Sequence, residues 1–144
     1  MNFLEEIKKK YGNTAIMNIA ENPEKLEAIS TTCLSLDKAI GIGGLPKGRV
    51  VEIYGLESTG KTTLCGHIIA EAQKNKGVCL YLDFENAVDV DYFNKLGVVT
   101  DSESNQFLLS QPSCAEEGMD ILQLALESGE ISIVVVDRSE EHTS

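Results

Sequence analysis

Residues 55–62 read Gly-Leu-Glu-Ser-Thr-Gly-Lys-Thr, two glycines five apart with a lysine and a hydroxyl residue behind the second. That spacing suits a cradle for a phosphate chain. Gly55 and Gly60 let the backbone fold back, so that the N–H groups of Leu56, Glu57, Ser58 and Thr59 turn toward phosphate oxygens. A helix opening at Lys61 adds the positive end of its dipole. Lys61 is then placed to reach the β- and γ-phosphates of ATP, and the Thr62 hydroxyl to complete a Mg2+ shell. Chance gives such a match in about one in a hundred chains of this composition.

Two carboxylates fall where such chemistry would use them. Asp137 ends the apolar run 131–136, and an aspartate at the end of a buried strand beside a phosphate loop orients Mg2+. Glu85 follows the apolar run 78–83. It reads either as the acceptor of a proton from a water attacking the γ-phosphate or as a surface carboxylate beside Asp83, and spacing does not choose between them. Asp83, Asp89 and Asp91 crowd one short stretch, where mutual repulsion favours a bound cation or a basic neighbour. Cys33, Cys65, Cys79 and Cys114 form no C-x-x-C pair, and His67 and His142 stand at no metal-ligand spacing, so zinc is not expected. The four thiols read as reduced and buried. Gly41, Gly43, Gly44, Pro46 and Gly48 superficially suggest a dinucleotide glycine motif, but Pro46 and a following strand pattern reject it.

The elements that must position these residues follow from periodicity. Phe3, Leu4, Ile7 and Tyr11 make one helical stripe closed by Gly12, a short amphipathic helix that needs a surface to dock on. Residues 50–54 read as a strand, 61–76 as a helix with Leu64, Ile68 and Ala72 on one face, and 78–83 as a second strand. A short helix over 90–96 and a weaker strand over 107–110 come next. Ser113 and Glu116 form a capping box for a helix running to Ser128 and closed by Gly129. The β-branched run 131–136 is of the kind buried on both faces. Four strands alternating with helices specify an α/β fold with a mostly parallel sheet, ligands binding along the edge where the strands end.

Composition bounds the function. The chain has 144 residues, 42% of them hydrophobic and 24% charged, enough for one domain with a core. No apolar run is long enough for a membrane helix, and residues 1–10 carry no secretory h-region, so a soluble, cytoplasmic protein is expected. The net charge is −11, with three basic against thirteen acidic side chains over residues 62–137. Such a surface repels phosphate, which argues against nucleic-acid binding by the general surface and leaves a nucleotide held by backbone amides open.

The motifs together resemble one family. Ile29-Ser-Thr31, Leu34-Ser-Leu-Asp37, Gly41-Ile-Gly-Gly-Leu-Pro46 and Gly48-Arg-Val-Val-Glu-Ile-Tyr-Gly55 run into Glu57-Ser-Thr-Gly-Lys-Thr-Thr63. The likeness continues through Asp83-Phe-Glu-Asn-Ala87, Asp89, Tyr92, Lys95-Leu-Gly-Val98, Leu109-Ser-Gln-Pro112 and Val134-Val-Val-Asp137. Over residues 3–137 the chain is similar to the bacterial RecA recombinase family. The resemblance implies a RecA-like P-loop NTPase fold and an ATP-dependent DNA strand-exchange activity in homologous recombination, DNA repair and the SOS response. It implies helical filaments on single-stranded DNA, with the N-terminal helix packing on a neighbouring protomer. It makes Glu85 and Lys61 the catalytic pair and Thr62 and Asp137 the Mg2+ residues. Nucleotide contacts extend from residues 55–62 to Thr63, Tyr92 stacking on adenine and Asp89 near the base. Asn86 and Val90 depart from the family's usual His and Pro.

This reading divides the chain into an N-terminal helix and oligomerisation segment (residues 1–33), an ATPase core (34–137) and a tail (138–144). The tail breaks the likeness and reads as non-native, of the kind translated adapter DNA produces. The core is expected to be incomplete, since the segments expected to grip DNA are not among these residues. Two other functions compete. A P-loop kinase needs a basic lid, and residues 62–137 offer only Lys74, Lys76 and Lys95. A non-catalytic fragment would bind nucleotide, or cap a filament through its N-terminal helix, without turnover.

Overall fold

The structure is a computed structural model that describes residues 2–16 and 26–138. In chain order its elements are α1 (Phe3–Tyr11), β1 (Ala28–Ile29), α2 (Leu34–Ile40), β2 (Leu45–Pro46) and α3 (Lys61–Lys74), followed by β3 (Cys79–Asp83), α4 (Val90–Lys95), β4 (Phe107–Ser110), α5 (Ala115–Ser128) and β5 (Ile133–Asp137). Three strands form a parallel sheet in the order β4-β3-β5, and β1 pairs with β2 as a two-residue antiparallel ribbon. The parallel register sets Tyr81 opposite Val135 and Asp83 opposite Asp137, so the strands finish at one common edge.

β3 is buried along its whole length and centres the core. Ile69 of α3, Cys79 and Tyr81 of β3, Phe93 of α4 and Val98 make the buried cluster. Tyr81, Phe93 and Phe107 pack as a triangle of rings with centroids 5.5, 6.0 and 6.1 Å apart. Phe93 meets both other rings edge-to-face, which adds orientation to burial. Buried Gln73 ties the end of α3 to the loop before β4: it donates to the Val99 and Gln106 carbonyls and accepts from Val99 N–H.

Five readings of the sequence change. Residues 50–54 join no ladder, and Val50 and Tyr54 are exposed. The β-forming pattern is present, but the segment lies across a cleft from β5, and among the described residues no strand pairs with it. The sheet therefore has three parallel strands where four were expected. β5 is only partly buried, with Val136 at 47%, because β3 alone among the described strands flanks it. The box expected between Ser113 and Glu116 forms between Ser113 and Glu117 instead. The Glu117 carboxylate accepts from Ser113 N–H at 2.8 Å and from Ser113 Oγ at 2.5 Å, with Cys114 as the N-cap. None of the four cysteines is paired, yet only Cys79 is fully buried, while Cys33 and Cys114 are exposed.

α1 forms as its stripe predicts and ends at Gly12, but it buries no residue, and Phe3 and Tyr11 are about two-thirds exposed. α2 and the β1–β2 ribbon were not signalled by any periodic pattern. α2 is anchored by Asp37, which accepts from Ser30 Oγ, Thr31 N–H and Thr31 Oγ1 at 2.6–2.9 Å. All of the tail but Arg138 lies outside the described residues.

Candidate functional site

The loop 55–60 is exposed and reverses direction through two left-handed residues, Ser58 (φ 57°) and Gly60 (φ 94°). Gly60 is the N-cap of α3, whose first intrahelical bond runs from Leu64 N–H to the Gly60 carbonyl. The first N–H groups of α3 thus face the loop without intrahelical partners. Thr59 Oγ1 donates to the Leu56 carbonyl at 2.7 Å, and Lys61 Nζ donates to the carbonyls of Gly55 (2.6 Å) and Leu56 (2.8 Å). The lysine is therefore folded over its own loop, its ammonium held at the loop's centre.

One cleft of about 290 Å³ lies beside this loop. Lys61, Thr62 and Cys65 of α3, Tyr81 of β3, and Asp137 and Arg138 line it, facing Val51 and Ile53 on the other side. Asp137 reaches the cleft because it ends β5, and its backbone carbonyl accepts from Phe84 N–H at 3.0 Å. Its Oδ2 accepts from the Tyr81 hydroxyl at 2.6 Å. Burial, with Asp137 behind it, pushes the Tyr81 phenol above its ordinary range, so it stays a donor. Burial also pushes the Cys65 thiol up, which leaves it a poor nucleophile.

The remaining predicted residues gather at the start of α4 and the loop before it. Tyr92 is partly exposed, and its hydroxyl bonds Thr63 Oγ1 at 2.6 Å. Asp89 caps α4, accepting from Tyr92 N–H at 2.9 Å. Thr63, Tyr92 and Asp89 are thereby joined beside the first turn of α3. Glu85 is exposed, two residues past the end of β3, on the sheet edge that also carries Asp137. The glycines and Leu56, Glu57, Ser58 and Thr59 all lie in the exposed turn.

The crowded aspartates separate in the structure. Asp83 turns inward, fully buried, and accepts from the N–H groups of Glu85, Ala87 and Val88 and from Gln111 Nε2 at 3.0–3.1 Å. It organises the loop that presents Glu85 and needs no cation. Among the described residues no group of three or more His, Cys, Asp and Glu is arranged to hold a metal by itself. Sequence reasoning missed two residues of the site, Tyr81 and Gln111. An aromatic in a strand reads as core, and only the β3–β5 register reveals that its hydroxyl reaches Asp137.

Comparison with known proteins agrees with the resemblance in the motifs. The family model for the RecA N-terminal domain matches residues 1–141. Protein RecA of Helicobacter pylori strain P12 is 52% identical over 135 residues, covering 93% of this chain and 38% of that protein. Protein RecA of the Wolbachia strain wRi from Drosophila simulans is 47% identical over 137 residues, again covering 38% of its length. The chain thus spans less than half the length of the curated relatives it matches. With its sheet, loop and carboxylates so arranged, the chain belongs to the RecA N-terminal domain family.

Proposed function

We propose that this chain is the nucleotide-binding part of an ATP-dependent DNA strand-exchange protein of homologous recombination, repair and the SOS response, with a P-loop NTPase core. The observation that carries the reading is the meeting of Lys61, Thr62 and Asp137 in one cleft at the N-terminus of α3. On this reading the loop's N–H groups and the start of α3 hold the β- and γ-phosphates. Lys61 leaves the Gly55 and Leu56 carbonyls for phosphate oxygen. A hydroxyl and a carboxylate lining the same cleft are the hard oxygen donors that suit Mg2+, and Thr62 and Asp137 would hold it. Bound there, Mg2+ would draw charge from the phosphate oxygens. Glu85 accepts a proton from the attacking water at its carboxylate. Tyr92 packs against adenine with Asp89 near the base, a role compatible with their position beside α3.

For the 144-residue chain itself the proposal is binding without turnover. The segment that leads into the loop, residues 50–54, lacks the ladder that would fix it. Single-stranded DNA and filament neighbours are proposed partners of the longer protein, the latter through α1, whose apolar stripe is uncovered. No helix among the described residues is long and apolar enough to cross a membrane, in keeping with a cytoplasmic site of action.

Titration with a fluorescent ATP analogue and Mg2+ tests the reading. The chain should bind, and Lys61→Ala should weaken binding at least about tenfold, a loss consistent with removing a charged hydrogen-bond donor. Equal binding by both proteins would refute the cradle. In the longer protein, ATP hydrolysis that ignores single-stranded DNA would refute the recombinase assignment.

A further inference from the structure

We propose that Tyr81 is a positioning residue for Asp137: its hydroxyl holds one carboxylate oxygen so that the other faces the cleft for Mg2+. The inference rests on the reading of Asp137 given above. Tyr81 sits opposite Val135 in the β3–β5 register, and Asp137 lies two residues further along β5 on the same face. That diagonal is within reach of an aromatic side chain, and the hydroxyl closes it at 2.6 Å onto Oδ2. The ring has little freedom, for it is 1% exposed and packed against Phe93 and Phe107. A carboxylate at a strand end, with its side chain reaching into an open cleft, has no such constraint of its own. Phenylalanine would fill the same core volume, so packing does not account for the hydroxyl. Tyr81 touches no phosphate on this reading; it acts through Asp137, as an outer partner orients a metal-binding carboxylate.

The test uses the 144-residue chain and the Mg2+ concentration that half-maximally tightens binding of the fluorescent ATP analogue. Tyr81→Phe should raise that concentration about tenfold, the usual effect of losing an outer partner. In EDTA its affinity for the analogue should fall by less than the Mg2+ midpoint shifts, and loss of the hydroxyl–carboxylate bond should lower its thermal midpoint. Asp137→Asn should produce at least as large a shift, and the double variant no more than Asp137→Asn alone, since the two act as a unit. A Mg2+ curve for Tyr81→Phe that overlays the unsubstituted chain, while Asp137→Asn shifts it, overturns the role of Tyr81 alone. Additive shifts overturn it as well, as does equal loss of affinity in EDTA. If Asp137→Asn shifts nothing, the Mg2+ reading of Asp137 fails and the Tyr81 role with it. If the unsubstituted chain binds no nucleotide, the whole site reading fails. A second measurement needs no folded Tyr81 variant. In the unsubstituted chain labelled at the ring carbon bearing the hydroxyl of its four tyrosines, with Tyr11, Tyr54 and Tyr92 assigned by substitution, the Tyr81 resonance should move when Mg2+ joins ATP-saturated protein. A stationary resonance overturns the proposal.

Discussion

Asp83 shows how one buried side chain can set the position of another. Its oxygens collect three backbone N–H groups and one from Gln111, and so fix the path of residues 85–88. Asp83→Ala would leave those donors unpartnered in a buried place and should cost about 3 kcal/mol by chemical denaturation. Asp83→Asn, which keeps one acceptor oxygen, should cost less. Equal stability of both variants and the unsubstituted chain would show that water replaces the carboxylate without loss. At this scale the sequence was informative wherever a residue type must stand at a fixed spacing. That Lys61, Thr62 and Asp137 would meet was legible from the glycine spacing and from the end of an apolar run, and one cleft brings them together. The inward turn of Asp83 was not legible, because a carboxylate among carboxylates reads as repulsion until its donors are seen.

At the scale of elements, α2 depends on a polar anchor more than on an apolar face. The Ser30 hydroxyl, and then the Thr31 hydroxyl and N–H, hold the Asp37 carboxyl below its ordinary 3.8. A carboxylate depressed in the folded state stabilises fully above its unfolded pKa, and that contribution is lost as pH falls through the folded value. Asp37→Asn should therefore melt below the unsubstituted chain near about pH 6, and the two should converge as pH drops below 3.8. A constant gap across that range would assign the anchor to geometry and not to charge. Apolar patterning, with the breakers and caps that bound it, located α1, α3, β3, α4, β4, α5 and β5 to within two residues. It missed α2, whose seven residues bury none and are held by side-chain hydrogen bonds. It over-read residues 50–54 because a strand pattern records what a segment would bury, not whether a neighbour stands beside it. For the same reason the run of β5 suggested burial on both faces, while the strand, at the edge of its sheet, is only partly buried.

At the scale of the whole molecule, charge and topology govern what can approach. With a net charge of −11 and most of the excess in residues 62–137, the chain as it stands should show no measurable affinity for a single-stranded oligonucleotide near about 0.15 M salt. Fluorescence anisotropy of a labelled oligonucleotide checks this, and a rise at micromolar protein would reveal a basic path that the charge distribution hides. The sheet order has one more consequence. β3 is shielded on both flanks and both faces, whereas β5 is laddered on one flank only. Amide protons should thus exchange slowest along Cys79–Asp83 and faster along β5 and through residues 50–60. The groups assigned to nucleotide chemistry sit on the rim that opens first, so a bound ligand would slow exchange at that rim while leaving the aromatic centre as it was.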